Sequence, residues 1–162
     1  AAAFNRDIAA FTTKWLVDLV QDSQRADGAF GDVAPHIAVV GFGNAAWEDA
    51  GVICVYRMWE MYGDTQAIRT HWDAMTRFMD HLAAVSPGGL RPVGAYGDWL
   101  RLDGPQHGSV LGTAYYVQDA RMMAQMARAI GLSDAAAKYD ALAKTVRAAF
   151  IQAFVSPDGR VE

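Results

Sequence analysis

The connections between helical segments constrain this 162-residue sequence more than any other feature. Apolar residues recur at helical spacing in five segments, near residues 5–23, 45–62, 65–84, 109–130 and 134–154. Two connections are long and rich in glycine (24–43 and 85–108), and two are very short (63–64 and 131–133). Because short turns make antiparallel helix hairpins, the long loops emerge together at one end. We therefore predict an all-α fold, an arc of an α/α toroid with its cleft at the long-loop end.

Five helices form only part of such a toroid, and the apolar flank of its inner helices is left uncovered. The first residues read straight into an amphipathic helix, and the last, SPDGRVE, stop just after a turn signal. We expect residues 1–162 to be a partial catalytic domain with flanking parts missing at both ends. The remaining parts of its own barrel are then its expected partners.

Composition excludes several classes of protein. The chain is 52% apolar and 20% charged, so it can bury a core. Its net charge is −4 and it has no basic run, so we expect no nucleic-acid partner. No run reaches the length of a membrane span, so we expect no membrane partner. The start, AAAFNRD, lacks the basic lead and apolar region of a signal peptide, which in a partial domain leaves the compartment open.

The sequence predicts neither a cofactor nor a metal. It contains no P-loop, GxGxxG or GxSxG motif. Cys54 is the only cysteine and lies in an apolar stretch, so we interpret it as a core residue. His71 and His81 are ten residues apart on one helix and cannot clamp a metal from adjacent turns. His36 and His107 lie in the two long loops, where histidine is more often solvated than functional.

Two tryptophans stand beside aspartates in glycine-rich sequence at the predicted cleft end. Trp47 and Asp49 lie in GNAAWEDAG, and Asp98 and Trp99 lie in GAYGDWLRLDG. An indole can pack on the C–H face of a sugar ring while a neighbouring acid takes its hydroxyls. The alternatives are that the tryptophans are plain core residues and that the acids cap helices or stabilise turns. Their common placement at one end favours a carbohydrate site.

Sugar hydrolysis usually requires two carboxyl groups across the scissile bond. The candidates here are Glu48, Asp49 and Asp98, and none has a diagnostic catalytic spacing. Glu48 and Asp49 start a helix, where the helix dipole favours an anion. These acids are therefore weak evidence for catalysis and better evidence for polyol binding.

Five segments, in this order, resemble bacterial α-L-rhamnosidases of glycoside hydrolase family seventy-eight. They are FNRDIAAFTTKWLVDL (4–19), DGAFGDVAP (27–35), AAWEDAGVICVYRMWEMYGD (45–64), YGDWL (96–100) and LGTAYYVQDARMMAQMARAIG (111–131). WEDA, where the family has W-x-D-A, and GDWL are the most specific. The resemblance implies a six-hairpin α/α barrel and inverting hydrolysis of terminal α-L-rhamnose from glycosides and polysaccharides. It also implies that Trp47, Asp49, Asp98 and Trp99 bind the substrate.

The chain lacks the two motifs that carry catalysis in that family. The family's general acid lies in a motif of the type D-E-R-x-G-W-x-G-D, just before the segment matched at residue 4. Its general base is a glutamate farther downstream than residue 162. Glu48 falls at the variable position of W-x-D-A. The catalytic residues of this chain are thus unknown, and we expect the acid and base outside it and the isolated chain to be inactive.

Two other functions fit the same helical pattern. One is a different α/α-barrel glycosidase, trehalase-like or glucoamylase-like, which substrate comparison separates from a rhamnosidase. The other is a non-enzymatic helical interaction domain, in which Trp47 and Trp99 are core residues and no sugar binds.

Overall fold

The computed structural model describes residues 5–92 and 108–161. Within them lie five α-helices: α1 (Ala9–Asp22), α2 (Ala50–Tyr62), α3 (Thr65–Val85), α4 (Gly108–Ala129) and α5 (Ser133–Phe154). A short 3₁₀ helix, Pro87–Gly89, follows α3. The β-structure of the described residues is limited to two isolated antiparallel bridges, Gly31 with Phe42 and Val155 with Val161. The all-α prediction is confirmed.

The two helix hairpins follow from local sequence. Gly63 adopts φ 69°, which ends α2, and the Asp64 side chain accepts hydrogen bonds from the backbone N–H groups of Gln66 and Ala67, which starts α3. Gly131, with φ 83°, ends the α4 region in the same way, and Leu132 N–H returns to Ala127 O at 2.8 Å. The tight turns bring α2 against α3 and α4 against α5.

The core lies where α1 to α5 meet and is built mainly from aliphatic side chains and methionines. Ile68, Met75 and Leu82 of α3 share one buried stripe, while the opposite face carries the exposed Asp73 and Arg77. Met122, Met123 and Met126 of α4 are buried in the same core. Cys54 packs against this core. Its burial raises the pKa of its thiol.

Two predicted helix starts were wrong. Helix α1 begins at Ala9 rather than at residue 5, with the Asp7 side chain accepting from Ala9 N–H. Helix α2 begins at Ala50 rather than at residue 45, because Ala46 has φ 73° and cannot continue a right-handed helix. Residues 45–49 instead form a turn, and this turn carries Trp47.

Helix α2 is buried on one side and lines a cavity on another. Val52 and Val55 are fully buried, but Ile53 and Arg57 line a cavity of about 400 Å³ together with residues of α4, among them Tyr115. The cavity lies between α2 and α4, and the prediction that the chain is a partial domain stays a prediction.

Candidate functional site

A cleft of about 330 Å³ lies beside Trp47. Its walls come from helix α1, from the long loop between α1 and α2, and from the turn that precedes α2. The lining residues are Trp15, Asp32, Ala46, Trp47 and Ala50. The indole N–H of Trp15 donates to Ala34 O at 3.2 Å, which ties this aromatic wall to the loop. The cleft therefore offers two indoles and one carboxyl group to a ligand.

The turn at residues 44–49 presents Trp47 to this cleft. The backbone N–H groups of Trp47 and Glu48 both donate to Asn44 O at 3.1 Å. The left-handed Ala46 is held by its own N–H, which donates to Asp49 Oδ2. A non-glycine residue at positive φ is strained, so the surrounding contacts must maintain this conformation.

Asp32 joins the long loop to the same turn. Its carboxylate accepts hydrogen bonds from the backbone N–H and the side-chain amide of Asn44. Asn44 is thus a partner of Asp32 through both its backbone and its side chain. Burial raises the pKa of Asp32, while the two hydrogen bonds from Asn44 act in the opposite direction. Asp32 lies in the segment DGAFGDVAP (27–35), and the sequence alone did not indicate it as a site residue.

Arg91 forms a buried ion-pair network directly behind the turn. Its Nη1 lies 2.7 Å from Asp49 Oδ1, and its Nη2 lies 2.6 Å from Glu48 Oε1. Arg91 is only 2% exposed, Glu48 1% and Asp49 not at all. Charges so deeply buried are tolerated only when they are paired. The acids beside Trp47 therefore pair with an arginine, and the Asp49 side chain makes no capping hydrogen bond to α2.

Asp119 of α4 adds a third acid to this network. It is fully buried, and its carboxyl group lies close enough to Asp49 for the charge of Asp49 to act on it. Neither of its oxygens accepts a hydrogen bond from a donor in the described parts of the chain. A buried carboxylate without donors and beside another acid is unfavourable, so the surroundings favour the protonated form of Asp119. Burial, and next the charge of Asp49, raise the pKa of Asp119 well above its usual range.

Burial and the neighbouring charges also change the pKa of Glu48. The pKa of Glu48 is raised to about 7. Burial is the main cause, the Arg91 charge acts against it, and the Asp49 charge adds to it. One arginine cannot neutralise several ionised carboxylates, so the ionised form of Glu48 is less favourable in this network. Glu48 therefore titrates near neutral pH.

The predicted site residues Trp47 and Asp49 have different surroundings in the structure. Trp47 lies in the wall of the cleft, whereas the contacts of the Asp49 carboxylate within the described residues are with the protein itself. Hydroxyl binding by Asp49 stays a prediction. Asp98 and Trp99 lie outside the described residues, as does His107, and their predicted roles are unchanged. His36 lies on the ring of Phe42 with a centroid separation of 4.6 Å.

Like Asp32, Asp119 and Arg91 were not predicted as functional candidates from the sequence. Asp119 lies at helical spacing with the buried Tyr116 and Met123, and an acid on such an apolar stripe signals a buried polar partner. No comparable signal identifies Arg91, which stands in a glycine- and proline-rich loop.

Among residues 5–92 and 108–161, no group of three or more His, Cys, Asp or Glu side chains is arranged to hold a metal ion. Of the helices described, none combines the length and apolar character needed to cross a membrane.

Comparison with known proteins identifies the family. The model of the bacterial alpha-L-rhamnosidase 6 hairpin glycosidase domain matches residues 1–162. An alpha-L-rhamnosidase of Streptomyces avermitilis is 40% identical over 161 residues, which are 99% of this chain and 15% of that protein. One of Formosa agariphila is 28% identical over 167 residues, covering 98% of this chain and 18% of that protein. The chain thus spans less than a fifth of the length of these relatives.

Solved structures agree with the sequence comparison. The Streptomyces avermitilis alpha-L-rhamnosidase complexed with L-rhamnose matches 96% of this chain and 15% of its own, with a TM-score of 0.90 and 40% identity. The alpha-L-rhamnosidase from Dictyoglumus thermophilum matches 96% of this chain and 18% of its own, with a TM-score of 0.89 and 25% identity. The predicted arc of a six-hairpin barrel is confirmed, and the chain belongs to the bacterial alpha-L-rhamnosidase six-hairpin glycosidase domain family.

Proposed function

We propose that this chain is part of the catalytic domain of an α-L-rhamnosidase that removes terminal α-L-rhamnose with inversion. Its contribution is one aromatic wall of the sugar pocket. The observation that carries the proposal is Trp47 at the edge of a cleft that also contains Trp15 and Asp32. The 40% identical relative binds L-rhamnose in its solved structure, which supports rhamnose as the sugar.

A sugar ring suits this cleft chemically. The indole of Trp47 offers an apolar face to the ring's C–H groups, and the Asp32 carboxylate, 6% exposed, offers an acceptor to a hydroxyl. Asp98 and Trp99 remain part of the proposed substrate site through the family resemblance. The substrate is then a rhamnose-containing glycoside or polysaccharide.

Neither acid that follows Trp47 in the turn, Glu48 or Asp49, is exposed enough to supply the hydrolytic chemistry. Glu48, with a pKa of about 7, has the proton affinity of a general acid. It is nevertheless 1% exposed and bound to Arg91, so a glycosidic oxygen cannot reach it. Geometry comes before pKa when a proton donor is assigned. We therefore propose that the general acid and the general base both come from outside these 162 residues.

The test is hydrolysis by the full-length protein that the gene encodes. Nitrophenyl α-L-rhamnoside is expected to be cleaved and the matching α- and β-glucosides are not. Proton NMR at early times is expected to show β-L-rhamnose as the first product, since inversion changes the anomer. Cleavage of glucosides alone would establish the trehalase-like or glucoamylase-like alternative, and first release of the α-anomer would overturn inversion. The purified 162-residue chain is expected to release no nitrophenol.

A further inference from the structure

We propose that Arg91 is a positioning residue for Trp47: it holds the turn at residues 44–49 in the conformation that presents the indole to the sugar. This inference rests on the proposed sugar-binding role of Trp47. Arg91 itself lies behind the turn, 2% exposed, and does not line the cleft.

The first step is that Arg91 is fixed to helix α4. Its backbone N–H donates to Thr113 Oγ1 at 3.1 Å, and its carbonyl accepts from Ser109 Oγ at 2.8 Å. Gly112 lies between these two positions on the helix. A Cβ atom there would stand 3.3 Å from Cγ and Cδ of Arg91, so the absence of a side chain lets the arginine stem lie close against α4.

The second step is that the guanidinium binds the two residues that follow Trp47. Nη2 donates to Glu48 and Nη1 donates to Asp49, at 2.6 and 2.7 Å. A planar guanidinium presents its donors in a fixed fork, so it constrains the direction of both carboxylates together. A lysine ammonium is a single point charge and cannot reproduce that constraint.

The third step carries the constraint to the residue before Trp47. Asp49 uses Oδ1 for Arg91 and Oδ2 for the backbone N–H of Ala46. Ala46 has φ 73°, a conformation that needs support from its surroundings. Trp47 is thus flanked by Ala46 on one side and by Glu48 and Asp49 on the other, and all three are held through one network that ends on α4.

The composition of the network suits a role in orienting the turn at residues 44–49 rather than a role in stability alone. Buried ion pairs are often no more stabilising than apolar side chains of the same size. Here, three buried acids lie around the single guanidinium of Arg91. They are Glu48 and Asp49 on the turn and Asp119 on α4. The hydrogen bonds from Arg91 to Glu48 and Asp49 hold the turn at residues 44–49 in a single geometry.

The experiment is a double-mutant cycle on kcat/KM for nitrophenyl α-L-rhamnoside, in the full-length protein. Arg91→Lys is expected to raise KM about tenfold with little change in kcat, because an indole wall that binds ground state and transition state alike acts on KM. In a Trp47→Ala background, Arg91→Lys is expected to add no further loss, because the residue acts through that indole. Arg77→Lys, on the exposed face of α3, is the matched control and should leave both constants unchanged.

The outcomes separate the two claims. If the wild-type protein cleaves no rhamnoside, the proposed function fails. If it does, an unchanged KM in Arg91→Lys, or a loss that adds fully to that of Trp47→Ala, overturns the positioning role, even when thermal stability falls. Should Arg91→Lys not fold, Asp49→Asn replaces it in the same cycle. Its amide can accept from only one of the two donors, Arg91 or Ala46, so the same rise in KM is expected and a normal KM overturns the proposal.

Discussion

The ring of Phe30 occupies the space in which a side chain at Gly51 would have to lie. A Cβ atom on Gly51 would stand 2.2 Å from Cε2 of Phe30, well inside van der Waals contact. Phe30 is 1% exposed and packs on Phe78 with a centroid separation of 5.2 Å. Asp32 follows Phe30 by two residues, and Asp49 precedes Gly51 by two. This contact therefore seats the long loop on the first turn of α2, beneath the cleft.

The first prediction is that Gly51→Ala destabilises the chain by about 2–3 kcal/mol, the usual cost of overpacking a rigid core. Gly51 is buried in a helix, and the ring that it meets is itself packed on Phe78, so the clash cannot relax by a simple side-chain rotation. Urea unfolding of the 162-residue chain measures the loss.

Phe30→Leu is the control for that mechanism, because it shrinks the group that Gly51→Ala strikes. The double variant should lose less stability than the sum of the two single variants. Simple additivity would show that the cost at residue 51 does not arise from the contact with Phe30.

The second prediction concerns pH and Glu48. In the folded protein its pKa is about 7, against 4.5 in an unfolded chain, so the folded state holds the proton more tightly. Glu48 therefore contributes its full stability below about pH 4.5. That contribution declines as pH rises to about 7, by at most about 3 kcal/mol, and is constant above that.

Glu48→Gln isolates this effect because glutamine stays neutral at every pH. Relative to this variant, the wild-type free energy of unfolding should fall between about pH 4.5 and about pH 7, measured by urea titration at several pH values. The titrations of other groups largely cancel in the difference. Profiles that run parallel would mean that Glu48 has an ordinary pKa in the folded protein.

The third prediction concerns the start of α3. Asp64→Ala removes the acceptor for the N–H groups of Gln66 and Ala67, at 2.8 and 3.4 Å, and should cost about 1 kcal/mol. Asp73→Ala, at an exposed position on the same helix, should cost less than half of that. Equal losses in thermal unfolding would show that the cap contributes nothing of its own.

The contrast between α3 and α2 shows what the sequence could predict. Helix α3 was predicted almost to the residue, because Gly63 and Asp64 are local signals that act within one turn. The start of α2 was misplaced by five residues, because the turn before it depends on Arg91, which is 42 positions from Asp49 along the chain. A contact of that range leaves no periodic pattern in the sequence.

The candidate site also has a part that the sequence could predict and a part that it could not. The position of Trp47 at the cleft could be inferred from loop lengths and from its glycine-rich surroundings. The arrangement of Glu48, Asp49 and Asp119 around one arginine could not, because adjacent acids at a predicted helix start are equally typical of exposed first-turn residues. Only the folded chain shows that these acids are buried and lie around one cation.

The last prediction compares two half-buried tryptophans. Trp47 lines the cleft, whereas Trp72 of α3 packs on the core and meets Tyr139 edge to face at 6.2 Å. In the full-length protein, Trp47→Ala should weaken L-rhamnose binding at least about tenfold, or ~1.4 kcal/mol, and lower the melting temperature only slightly. Trp72→Ala should do the reverse, because it opens a cavity in packed structure and removes nothing from the sugar. Calorimetric titration with L-rhamnose and thermal unfolding report the two quantities separately. If Trp47→Ala costs several kcal/mol of stability while sugar binding is unchanged or absent in the wild type, Trp47 is a core residue and the interaction-domain alternative gains instead.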